Sequence, residues 1–165
     1  MTTLYFINVT LHVLAALLWL GGMLFLAVVG APVLRHVEPA SLRSELFRRL
    51  GEAFRLTGWI AVTVLVTTGV LNLRFRGWLD WAVLGNAAFW RSRPGTSLAW
   101  KLAAVVFMLV TEAVHDFLHG PRASRAEPGS PEALRYRRQA AWLARINSVV
   151  ALVLVYVSVR LARGS

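Results

Sequence analysis

Residues 4–34 read LYFINVTLHVLAALLWLGGMLFLAVVGAPVL, thirty-one positions without an Asp, Glu, Lys or Arg. About 20 consecutive apolar residues suffice for a helix to cross a hydrocarbon layer about 30 Å thick. The stretch therefore predicts a transmembrane helix, longer than needed, that tilts or projects into water. No Lys or Arg precedes Arg35, and the run is too long for the apolar core of a cleavable leader, so it reads as a retained first span. Residues 57–73, 97–118 and 146–161 repeat the apolar character at the length a span requires. The expected fold is all-α, a transmembrane four-helix bundle, with residues 1–165 forming one integral membrane domain.

The connecting segments carry the charge. The segments 35–55 and 122–145 hold eleven of the eighteen Lys and Arg residues, and the opposite side holds seven. The positive-inside rule then places both termini outside and those two loops in the cytoplasm, in a multi-pass protein of the inner (plasma) membrane. Net charge is +10. No nucleic-acid motif accompanies it, so the expected partner is the lipid bilayer and its anionic headgroups, not nucleic acid. With no cysteine, disulfides and thiolate metal sites are excluded.

Within the first loop, Leu42, Leu46, Leu50 and Phe54 alternate with charges over 41–55. This predicts an amphipathic interfacial helix capped by Ser41. Trp78, Trp81 and Trp90 suggest an aromatic belt along the outer interface. Pro121, Pro128, Gly129 and Pro131 predict an irregular third loop over 120–131, and 132–145 a basic helix leading into the last span. No internal repeat is apparent.

Ionisable groups inside the spans are costly in lipid and mark functional positions. His12 shares a face of the first span with Trp19 and Met23, and Trp19-Leu20-Gly21-Gly22 offers a surface for close helix packing. Lys101, Met108, Glu112, His115 and His119 form a stripe on the third. Topology divides that stripe. Lys101 belongs at the outer level with His12, and could snorkel or hold an anionic group. Glu112, His115, Asp116 and His119 gather at the inner end with His36. His115 and His119 have the i, i+4 spacing of a two-imidazole metal site. The same segment also reads as a helix end terminated by Gly120 and Pro121. Glu112 needs a partner, for which Arg145, Asn147 and Arg55 are candidates. Met23 and Met108 suit Cu(I) as thioethers, or fill a core. Thr63, Thr67, Thr68 and Asn72 on the second span read as interhelical hydrogen-bonding groups. No Gly-rich phosphate loop, Cys–His pair or Ser/Asp triad pattern is present, so no residue is assigned a catalytic role.

Several of these segments resemble a known family. They are His12 with Trp19-Leu20-Gly21-Gly22, Phe54-Arg55-Leu56-Thr57-Gly58-Trp59, Thr68-Gly69-Val70-Leu71-Asn72-Leu73, Trp100-Lys101-Leu102, His115-Asp116-Phe117 and Ala144-Arg145-Ile146-Asn147. Together they resemble the CopD-like copper-resistance membrane proteins over most of the chain. That resemblance implies copper handling, whether binding, transport or resistance, through His12, His115 and Lys101. His12 and the entry to the third span are also similar to HemJ-type protoporphyrinogen oxidases, which implies haem b, with His12 as axial ligand and Lys101 near the porphyrin. The alternative expectation is therefore a haem-dependent membrane oxidoreductase. The candidate metal set is His12, His115, His119, Glu112, Met23 and Met108, and the candidate cofactor-binding pair is His12 and Lys101. A homodimer is a further expectation, since so small a chain encloses a path most readily by pairing.

Overall fold

The computed structural model describes residues 2–125 and 130–162. Helix dominates and no strand occurs among the described residues. The helices are α1 (Thr2–Phe25), α2 (Ala31–Leu34), α3 (Ala40–Phe75), α4 (Trp81–Leu84), α5 (Ala87–Arg91), α6 (Arg93–Val114), α7 (Gly120–Arg125) and α8 (Pro131–Ala162). Four stretches are long and apolar enough to cross a membrane, namely Thr3–Leu34, Ala40–Phe75, Arg93–Arg122 and Arg138–Arg160. The chain forms two compact units, Met1–Gly85 and Asn86–Ser165.

Each unit is a helical hairpin. In the first, α1 packs antiparallel to α3, since Asn8 meets Thr68 and Asn72 while Gly30 lies near Leu50. The α1 seam is Asn8, Ala15, Trp19 and Met23, all buried, with half-buried His12 between them. Small residues receive the large ones. The Trp19 ring lies over Gly58, and the Phe54 ring occupies the space a side chain on Gly22 would need. Gly21 has nothing within 4 Å, so only the second glycine of the expected packing surface is used. Lipid supplies no hydrophobic drive for two helices to pair, so such close fits and interhelical hydrogen bonds hold them together. The outward faces keep Leu4, Phe6, Leu11, Leu14 and Leu17 exposed, as suits a hydrocarbon surrounding.

The amphipathic segment and the second span are one helix. At 36 residues, α3 is about 54 Å long, so its charged first third extends past a layer about 30 Å thick. Arg48 and Arg49 lace that exposed part to Glu45 and Glu52 at 2.6–2.9 Å. Such pairs contribute a few tenths of a kcal/mol each. The expected Ser41 cap is not formed. The extended backbone of Pro39 starts the helix, its carbonyl accepts from the Arg43 N–H at 3.1 Å, and Ser41 lies inside the first turn. The Trp-bearing loop contains α4 and α5, capped by Asp80 and Asn86, whose side chains accept from the Ala82 and Ala88 N–H groups. The α6 helix begins at Ser92, whose hydroxyl accepts from the Gly95 N–H.

The first helix of each hairpin passes through one wide π turn, Leu26–Gly30 in one and His115–His119 in the other. The Ala31 and Gly120 N–H groups accordingly reach back five residues, to the Leu26 and His115 carbonyls. A proline, Pro32 or Pro121, stands two residues after each turn. Proline lacks an N–H, and its ring collides with the carbonyl four residues back; the wide turn absorbs that collision. This corrects the expected helix end at Gly120 and Pro121: the backbone stays helical through both, and α7 continues to Arg125. It likewise overturns the irregular loop for 120–125, whereas 126–129, with Pro128 and Gly129, lie outside the described residues. The basic segment 132–145 and the last span are also continuous, in α8.

Candidate functional site

Two buried polar networks lie in the spans, one in each unit. In the first, Asn8 sits one helical turn before His12 and donates from Nδ2 to the Thr68 carbonyl and to Asn72 Oδ1, both at 3.0 Å. His12 Nδ1 is 2.8 Å from Thr68 Oγ1. The Thr68 hydroxyl has one proton, and the Val64 carbonyl stands 2.6 Å from it. Thr68 Oγ1 therefore accepts from His12 Nδ1–H, which leaves the lone pair of the neutral imidazole on Nε2. A fixed ring with one nitrogen donating to a protein oxygen is how proteins orient histidine ligands. Trp19 continues the same face, and its indole N–H is buried without an acceptor among the described residues. Met23, also buried, lies eleven residues from His12, about 16 Å of helix rise.

In the second unit, α6 and α8 meet at Asn147, which is 2% exposed. Asn147 Oδ1 accepts from the Thr111 hydroxyl, while Nδ2 donates to Glu112 Oε2 at 3.0 Å and faces the Met108 carbonyl at 3.4 Å. Asn147, one of the expected partners for Glu112, reaches it, and Arg145 stacks on the Trp142 ring, 5.4 Å from its centroid. Met108 is buried beside this junction. The π turn carries His115 and His119 in different surroundings. His115 Nδ1 pairs with Asp116 Oδ1 at 2.8 Å, and Asp116 is buried. His119 tilts against Tyr136 with ring centroids 6.2 Å apart, and its Nδ1 is buried without a hydrogen-bond partner among the described residues. Lys101 is half-buried on α6, in the second unit. His36 is exposed and bonds the Pro32 carbonyl within its own turn.

Among the described residues no three His, Asp or Glu side chains converge as a metal cage. The first unit instead offers His12 and Met23 singly, and the second offers His115, His119, Met108, Glu112 and Asp116 singly or in pairs. That donor set fits a soft ion held by few ligands at a time, since thioether and imidazole suit Cu(I). Asn8 and Thr111 were not picked out from sequence, although Asn8 shares the stripe of His12, Ala15, Trp19 and Met23 at spacings of three and four, and Thr111 lies three residues after Met108.

Comparisons with known proteins add the following. The model of the CopD family, described as copper resistance protein D, matches residues 48–161. A protein of Aquifex aeolicus (strain VF5), described as an uncharacterized protein, is 32% identical over 155 residues, covering 93% of this chain and 92% of that one. No solved structure matches.

Proposed function

The chain belongs to the CopD family, copper resistance protein D, and from that premise we propose that it handles copper as cargo inside the membrane, with His12 as the principal ligand. The observation that carries this reading is the Thr68 anchor. It holds the His12 ring by Nδ1 in an apolar span and directs the lone pair to Nε2. In that role Met23, about 16 Å along the helix, serves a separate position of the ion and not the same coordination shell. His115, held by Asp116, is the counterpart ligand in the second unit, with His119, Glu112 and Met108 as further donors around the same end of α6. Lys101 is an accessory cation for an anionic group. The protein is placed in the inner membrane with both termini outside, and it works as a homodimer.

The test is copper content per chain in full-length protein purified in detergent without chelators, together with its visible spectrum. The reading expects bound copper that a chelator removes, and loss of most of it in His12→Ala with helicity unchanged. Copper retained in full by His12→Ala would refute the assignment of that ligand. A Soret band abolished by the same substitution would replace copper with haem b.

A further inference from the structure

The α8 segment before the last apolar run carries a feature that copper handling does not use. Pro131, Arg135, Arg138, Gln139 and Trp142 line an open cavity of about 350 Å³. At 100° per residue these five positions and Arg145 fall within one third of the helix circumference. Arg135 and Arg138 are exposed and form no ion pair with a described residue. Arg145 lies over the Trp142 ring, which is itself 61% exposed. Gln139 Oε1 is buried without a donor among the described residues, a costly state that a ligand hydroxyl could relieve if the amide turned outward. The apolar run 146–161 begins immediately after Arg145. A phosphate here would meet two guanidinium forks, and a neighbouring acyl chain would meet Trp142 and the start of the span.

We propose that this cavity binds the headgroup of an anionic glycerophospholipid. Arg135 and Arg138 hold the phosphodiester, Gln139 meets a headgroup hydroxyl, and Trp142 packs at the level where headgroup gives way to acyl chain. Arginine suits phosphate because its planar donors match the oxygens in pairs. Basic pockets and interfacial tryptophan are the usual means of reading such lipids. A free phosphate shares the anionic chemistry but makes no use of the apolar wall, and this distinguishes the two sources.

The experiment is native mass spectrometry of delipidated full-length protein titrated with phosphatidylglycerol, phosphatidylcholine or inorganic phosphate. The wild type should bind the first phosphatidylglycerol at least about tenfold more tightly than phosphatidylcholine. Each arginine near an anionic lipid contributes about fivefold, equivalent to about 1 kcal/mol, so Arg135→Gln should lose about fivefold and R135Q/R138Q about 25-fold. The control R74Q/R76Q removes the same charge from the opposite loop, where Arg76 also stacks on a tryptophan, and should keep wild-type affinity. Both variants should retain wild-type helicity, and the single replacement at an exposed position decides the matter if the double variant does not. Equal binding of the two lipids by wild type would overturn the proposal, as would equal losses in control and test variants. Displacement of phosphatidylglycerol by millimolar inorganic phosphate would reassign the cavity to a soluble anion.

Discussion

Replacing Asn147 by Leu tests how the second hairpin is held together. Asn147 joins α6 to α8 through Thr111, Glu112 and the Met108 carbonyl. Interhelical hydrogen bonds in membranes average about 0.6 kcal/mol and reach about 1.7, so losing those to Thr111 and Glu112 costs about 1–2 kcal/mol. The Thr111 hydroxyl still has the Phe107 and Met108 carbonyls at 3.0 Å and is not stranded. The Glu112 carboxyl loses the donor that α8 supplies, at a further cost of about 1–3 kcal/mol. The expected destabilisation is about 2–5 kcal/mol, read by circular dichroism as full-length protein in mixed micelles is titrated with dodecyl sulfate. Removing both partners strands neither, so E112L/N147L should lie within about 1 kcal/mol of wild type. Ser148→Ala, which touches only an intrahelical bond to the Ala144 carbonyl, should be silent. A cost below about 0.5 kcal/mol for Asn147→Leu, or a double variant that shows the sum of the two single losses, would refute the bridging role of Asn147.

Three further outcomes follow from the packing. Gly21→Ala should be neutral or stabilise by up to about 1 kcal/mol from helix propensity, whereas Gly22→Ala displaces the Phe54 ring and should destabilise by about 1–3 kcal/mol in the same denaturation assay. Gly95→Ala is more severe, because the new methyl meets the Phe89 backbone carbonyl and not a movable side chain; thermal unfolding should show the larger loss of the two. Thr68→Val removes the oxygen that takes the His12 proton, and outer-sphere losses of this kind weaken metal binding by about 10–100-fold. Titration with Ag(I) as a Cu(I) mimic reads the affinity, and ¹⁵N shifts of His12 should show the Nδ1–H tautomer in wild type and a mixture in the variant.

The four spans were legible because uninterrupted apolar length has few other readings. Asn147 stood among the candidates for Glu112 because a carboxylate at that depth demands a donor. What the sequence concealed were competitions between local rules. Ser41 is a good cap by residue type, but Pro39 already supplies the extended residue that starts the helix two positions earlier. Gly120-Pro121 is a good stop signal, but a wide turn upstream removes the clash that would have made it one. Asn8 was missed because one Asn in an apolar run looks incidental until Thr68 and Asn72 appear opposite it. The single run from charged surface helix into span, in both α3 and α8, was hidden because hydropathy changes along them while the backbone does not.

The wide turns also set angular phase. A π turn amounts to one residue inserted into an α-helix, and one residue is about 100° of rotation. Above each turn the sequence spells one face toward the partner helix; below it, the same spacing spells another. Deleting one residue from either turn would thus act as a frameshift of orientation. The composition of the helix would be nearly unchanged, yet every side chain beyond the deletion would address a different neighbour. Both hairpins carry this offset at the same place, ahead of a proline, and so depend on the same register.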